Sequence, residues 1–506
     1  MSESRTIKTM RNIRFGMGLM LVTTLLSFAV RTVLIRAVGV ELVGLNGLFT
    51  EVIGALSLAE LGVGSSIAYS LYTPLAEGNE ERVSQLMQLY RRAYTAIAGV
   101  TLILGLAITP FVHLMVRKVD IPVSYIRIVY VLFVVQLSSS YLFSYKTALL
   151  NVDQKNYIFS FVQGCVKIAG AILQLILVAL TKNYLFYVAG LIFISLATNV
   201  ICARIADRQY PFLAMKTDPL PPDERKHVFA NMRDIFIKSV SSKITGSTDN
   251  ILISTLISTA LVGYYTNYNL VFNVVRTFAA LIYGGVVNSV GNMMATESDE
   301  RSEEVFRKLS WFFYAAAAVC SACIFTCMEP FVRLWLGEDF LLPTGVLFVT
   351  SLVIFLEVAT KPLWLIMEVS GLFSRDKYAS IIGSAVNLVT SIVLGLRIGM
   401  EGIFIGTCLT YTIQFVMKAY FLYRLKWNRS PMRYCLTFAG RTALLVALML
   451  AARAVTDRLP VTGDLPAFLI NGCLTAGAAA AVLIGTSAGT PEFAYAKELI
   501  IKRLRG

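Results

Sequence analysis

The sequence predicts an all-α integral membrane protein of about 14 transmembrane helices, on three observations. Its 506 residues are 56% hydrophobic with a mean hydropathy of +0.68, more apolar than a soluble chain of this size supports. Apolar runs of roughly 20 residues recur along it, each long enough at 1.5 Å per residue to cross a hydrocarbon core of about 30 Å. Polar residues inside those runs keep helical spacing, whereas a barrel strand would alternate over about 10 residues.

The first run, about 15–38, follows a basic flank without a small-residue cleavage site, so it reads as an uncleaved span and not as a signal peptide. It carries Arg31, with Thr24 and Ser27 on its face. The second, about 43–72, aligns Asn46, Thr50, Ser57, Glu60 and Gly64 along one side and turns Glu51 away. Spans at about 93–116, 123–150, 157–180 and 185–205 complete a group of six. A polar stretch with Pro211, Pro219, Pro221 and Pro222 then marks a linker. A second six follows at about 232–257, 261–293, 307–330, 342–370, 378–396 and 402–423, and runs at 441–455 and 465–487 add two more. The expected domains are an N-terminal six-helix lobe over 1–205, a cytoplasmic linker over 206–231, a C-terminal six-helix lobe over 232–430, and a terminal helix pair with a basic tail over 431–506.

The net charge of +14 would suit nucleic acid in a soluble protein, but here its placement decides. With loops assigned alternately, Lys and Arg concentrate on the side that holds the N-terminus. The excess is therefore topogenic, and an even span count puts both termini in the cytoplasm, in agreement with Lys502, Arg503 and Arg505. Cys320, Cys323 and Cys327 share one helix face, but three thiols with no nearby histidine favour packing over a metal site. No P-loop, HExxH or GxSxG pattern occurs, and the histidines are His113 and His227 alone. The expectation is a non-enzyme without a cofactor.

The two sixes repeat. A shift of about 219 residues lays Leu42, Val43, Gly44 on Leu261, Val262, Gly263, and Glu81, Arg82 on Glu300, Arg301. Pro110, Phe111, Val112 similarly falls on Pro330, Phe331, Val332. Six spans per copy give the copies the same membrane orientation, the arrangement of two lobes around a central cleft that rock to expose it on either side.

Polar stripes mark the expected cleft walls. In the seventh span Lys238, Ser242, Thr245 and Asp249 fall on one stripe, and Lys243, Gly246 and Asn250 on another. In the eighth, Asn269, Asn273 and Arg276 follow 4-then-3 spacing, continued by Tyr283. A charge at the centre of a span costs roughly 2.5–3.5 kcal/mol unless it faces protein or water. Arg31, Lys238 or Lys243, and Arg276 are thus candidate ligands for a phosphate or pyrophosphate. Internal pairing with Glu51, Glu60 or Asp249 is the competing account. In the tenth span Glu357, Lys361, Trp364 and Glu368 share a face, and the Glu-then-Lys order suits an in-helix ion pair. Lys167 and Lys418 are expected to snorkel to the membrane surface.

The runs Val38-Gly39-Val40 through Gly44-Leu45-Asn46, Ser57-Leu58-Ala59-Glu60-Leu61-Gly62-Val63-Gly64 and Ser70-Leu71-Tyr72-Thr73-Pro74-Leu75, with Asp249-Asn250 and Val262-Gly263-Tyr264-Tyr265, carry a resemblance. The chain resembles the polysaccharide transporter (oligosaccharide flippase) family of the multidrug/oligosaccharidyl-lipid/polysaccharide (MOP) exporter superfamily. That resemblance implies a V-shaped two-lobe transporter of the bacterial inner membrane. It would flip an undecaprenyl-diphosphate-linked glycan, with a polysaccharide polymerase and glycosyltransferases as candidate partners and no nucleic acid. The terminal pair would form a groove for the polyprenyl tail. Arg31 and Arg276 would represent the cavity cations of related lipid II flippases, and Asp249 and Asn250 are candidate ligands for a coupling cation. A multidrug/cation antiporter of the same superfamily and a non-transporting scaffold of a polysaccharide assembly complex remain the alternatives.

Overall fold

The computed structural model describes residues 5–60, 63–153, 155–215, 217–222, 224, 248–495, 497 and 498. Every regular element among them is helical. Twelve helices among the described residues are long and apolar enough to cross a membrane. The chain divides into two compact units, Met1–Gly263 and Tyr264–Gly506.

The first unit contains α1 (Arg5–Val38), α2 (Val40–Leu56), α3 (Val63–Ala76), α4 (Glu80–Ile108), α5 (Val123–Val152), α6 (Asn156–Thr181), α7 (Tyr184–Gln209), the single turn α8 (Asp249–Leu252) and the first residues of α9 (Thr259–Thr296). The expected second span is two helices, with a 3-10 turn over Ser57–Glu60 after α2. Ser57 Oγ donates to the Gly54 carbonyl at 2.7 Å, so a side chain competes with the backbone beside a residue of low helix propensity. Of the expected seventh span, residues 232–247 lie outside the described residues. Its end is α8 followed by a π-helical turn, Ile253–Ile257, that stops where Ser258 becomes extended (φ −167°, ψ 137°).

Residues Thr259 to Gly263 belong to the first unit because they pack on the corner between α1 and α2. A methyl built on Gly44 would lie 2.1 Å from the Thr259 carbonyl oxygen, and one on Gly263 would lie 2.4 Å from that of Val40. The two Leu-Val-Gly copies found in the sequence therefore meet backbone to backbone, which only glycine permits. Around α4, α5 and α7 the unit's core is rich in tyrosine: Tyr90, Tyr94, Tyr141 and Tyr145 are buried together with Leu149 and Cys202.

The rest of α9 opens the second unit. It continues with α10 (Asp299–Leu336), α11 (Thr344–Ala359), α12 (Lys361–Val369), α13 (Phe373–Ile398), α14 (Met400–Leu425), α15 (Met432–Thr456) and α16 (Asp464–Ser487). The expected tenth span is broken at Thr360, whose hydroxyl donates to the Leu356 carbonyl at 2.8 Å just before Pro362. Here the core gathers Phe306, Leu363, Ile366, Phe415, Tyr423 and Trp427. α13 and α14 lie close: a methyl on Gly406 would stand 2.2 Å from Ser391 Oγ.

The repeat extends to the caps. Asn79 Oδ1 accepts from Arg82 N at 2.9 Å at the start of α4. Ser298 Oγ accepts from Arg301 N at 3.3 Å at the start of α10. Each is an N-cap followed by two acidic residues in the first turn, which complement the helix dipole.

Candidate functional site

In the second unit the predicted stripe on α9 forms one bonded cluster. Arg276 Nη1 donates to Asn269 Oδ1 at 2.9 Å and to Asn273 Oδ1 at 3.1 Å, while Nε donates to Glu357 Oε2 on α11 at 2.8 Å. The spacing explains the geometry, since residues three and seven positions before Arg276 stand one and two turns along the same face. The second terminal nitrogen, Nη2, carries no hydrogen bond among the described residues. The Arg276 side chain is 28% exposed and that of Glu357 18%, so the pair is shielded but not sealed.

This corrects two expectations. Glu357 pairs with Arg276 and not with Lys361, because the chain turns at Thr360 and Lys361 opens the next helix instead of sitting one turn further along the same one. Glu368 likewise accepts from Tyr283, at 2.7 Å. Lys418 does not snorkel. It is fully buried, with Nζ 2.7 Å from Asp376 Oδ1 and 3.4 Å from the Trp364 ring centroid. A carboxylate and an aromatic face on neighbouring helices give the ammonium a nearer partner than water.

Lys418 ends a polar seam that the sequence reading missed. Ser380, Ser384, Asn387 and Ser391 on α13 are all buried. Asn387 Nδ2 donates to Thr407 Oγ1 at 3.2 Å, and Ser391 Oγ donates to the Ile403 carbonyl at 3.0 Å. The four residues recur every three to four positions, but small neutral side chains inside an apolar run give a weaker sequence signal than charges.

In the first unit Arg31 lies on α1, opposite the start of α7. Its guanidinium is within electrostatic reach of Tyr184 and Tyr187, whose rings stack 5.7 Å apart. Arg31 Nη1 is buried and has no hydrogen-bond partner, and neither has the Tyr184 hydroxyl. Glu60 stands on the turn after α2, where Tyr94 donates to Oε1 at 3.5 Å and Tyr141 faces the same carboxylate. Asp249 and Asn250 form the first turn of α8. Asn250 is 4% exposed, and its Nδ2 donates to Glu51 Oε1 at 3.3 Å while its Oδ1 is left without a donor. Lys238 and Lys243 lie outside the described residues. The structure therefore brings together Asn269, Asn273 and Arg276, places Glu60 among tyrosines, and joins Asn250 to Glu51.

No protein-family model matches the sequence, and no curated protein matches it. Solved structures do. An inward-facing multidrug resistance MATE family transporter of the MOP superfamily superposes with a TM-score of 0.66 at 14% identity, over 81% of this chain and 96% of that one. The lipid II flippase MurJ in an inward closed conformation gives 0.65 at 13% identity, over 93% of this chain and 99% of that one. A MOP superfamily transporter from Pyrococcus furiosus gives 0.53 at 13% identity, over 82% and 96%. The likeness is one of fold: this chain has the all-helical, multi-pass membrane fold of MOP superfamily transporters.

Proposed function

We propose that this chain, with the fold of a MOP superfamily transporter, is a flippase that carries an undecaprenyl-diphosphate-linked oligosaccharide across the bacterial cytoplasmic membrane by alternating access. The observation that carries the reading is Arg31 Nη1, buried in an apolar span with no hydrogen-bond partner. A guanidinium kept in such a place at a cost of several kcal/mol is explained by an anion that visits it. Arg276 supports the same reading, because Asn269, Asn273 and Glu357 orient its fork and leave Nη2 for a second oxyanion. Each guanidinium presents a fork that a phosphate oxyanion fits. The MurJ superposition spans 93% of this chain against 81% for the MATE transporter. That difference favours a flippase architecture over a drug exporter.

In this reading Arg31, Asn269, Asn273 and Arg276, with Lys238 and Lys243, hold the cargo headgroup. Glu60 balances charge in its own unit, and Asp249 and Asn250 with Glu51 offer oxygens to a coupling cation. The half-buried Glu60 carboxylate beside Tyr94 and Tyr141 favours one alternative, a cation-coupled multidrug antiporter. Reconstitution separates the two. Proteoliposomes containing the wild type should move a fluorescent polyprenyl-diphosphate oligosaccharide between leaflets, and Arg276→Ala should abolish movement while inserting normally. Wild-type flipping by that variant, or transport of a cationic dye with no glycan flipping, rejects the flippase reading. Glycan assembly intact in cells whose Arg31→Ala protein still supports export would point to a scaffold instead.

A further inference from the structure

In the second unit a cavity of about 640 Å³ opens where α10 and α15 begin and α14 and α16 end. Four guanidinium groups line it, those of Arg307, Arg429, Arg433 and Arg441, against two carboxylates, Glu303 and Glu492. The carboxylates are already engaged. Arg429 is paired with Glu303, and Arg307 Nε stands 3.8 Å from Glu492 Oε1. Arg433 and Arg441 have no carboxylate partner among the described residues; Arg441 rests 5.4 Å from the Tyr314 ring centroid.

Position makes these two arginines informative. Arg433, Thr437 and Arg441 are spaced by four, so they share one face of α15. That helix is long and apolar enough to cross a membrane. At 1.5 Å per residue the stripe runs from the end of the span to about 13 Å inside it. Beside it Met432 and Leu436 on the same helix are 63% and 64% exposed, a surface suited to acyl chains. A cationic recess that opens next to an apolar helix face at the end of a span has the polarity of a lipid: charged head, greasy body.

We propose that this pocket is a site for the phosphate of an anionic lipid, held by Arg433 and Arg441, with the lipid's chains along the outer face of α15. A phosphate diester spreads one negative charge over two non-bridging oxygens that a guanidinium fork can hold together, and anionic headgroups concentrate where basic side chains meet the membrane surface. Inorganic phosphate shares that chemistry but has no chains to lay on Met432 and Leu436. The site does not depend on which cargo the protein carries.

The test uses the full-length protein in detergent, its unfolding temperature followed as phosphatidylglycerol, phosphatidylcholine or inorganic phosphate is added. Phosphatidylglycerol should raise the unfolding temperature by several degrees, and phosphatidylcholine and inorganic phosphate should not. In the Arg433→Gln/Arg441→Gln double variant the lipid concentration for half the shift should rise roughly tenfold. Arg433→Lys/Arg441→Lys should lose less, because the charge is kept and the fork is not. An equal shift from inorganic phosphate assigns the pocket to a free oxyanion and overturns the lipid proposal. So does a phosphatidylglycerol shift that is absent in the wild type or unchanged in the Gln double variant. Should that variant not fold, Thr437→Trp narrows the recess without touching an ion pair; an undiminished lipid response there overturns the proposal equally.

Discussion

Arg276 and Arg31 are both cations inside apolar spans, yet their surroundings differ. Arg276 has a carboxylate and two side-chain amide oxygens fixed around it. Arg31 has stacked tyrosine rings for neighbours and a buried Nη1 that nothing accepts from. One cation is neutralised and oriented by its own unit; the other is held in place and left unsatisfied. In one chain, similar spans have been finished in two ways, and a cation's sequence position does not say which. The partner on the neighbouring helix does.

Substitution separates the two most sharply. Arg276→Ala removes one member of a shielded pair and strands Glu357, so stability should fall by about 2 kcal/mol, below the range for fully buried pairs because both side chains keep some exposure. Arg31→Gln removes an unsatisfied charge and should leave stability within about 1 kcal/mol of the wild type. Flipping should be lost in both, so unfolding in detergent and flipping in liposomes must be read on the same preparations. Equal stability losses would erase the contrast.

The contrast sharpens in a double-mutant cycle of Arg276→Gln and Glu357→Gln, where a coupling of about 1–2 kcal/mol is expected. The same cycle on Arg31 with Glu60 should give none. Lys418→Met probes a third cation, one engaged by Asp376 and Trp364. Replacing it alone should cost about 1–3 kcal/mol, and Lys418→Met with Asp376→Leu should recover most of that, as expected where desolvation rivals attraction. The smallest effect lies at the repeated caps: Asn79→Ala and Ser298→Ala should each cost about 1 kcal/mol, and by similar amounts if the two copies bear equal load.

Much of the helical architecture could be read from periodicity, because lipid forces apolar runs of a set length and polar residues onto one face. The Asn269, Asn273 and Arg276 cluster was legible for that reason: its three members belong to one helix, and local spacing fixes their distances. Glu357 was misassigned because its partner lies 81 positions away, on another helix. Asp376 and Lys418 escaped in the same way, as did the Ser380 to Ser391 seam, where Asn387 and Ser391 are inconspicuous until α14 supplies Thr407 and the Ile403 carbonyl. The break after α2 was hidden by hydropathy, which counts Ser57 and Gly54 as tolerable in a span while the backbone turns there.

Gly44 and Gly263 hold the same place in the two copies of the repeat, and each lies against backbone that belongs to the other copy. Divergence after a duplication normally frees one copy to drift, but these two positions police each other: a side chain gained by either is a steric error for both. A side chain at either glycine would therefore have to be accommodated by the backbone of both copies.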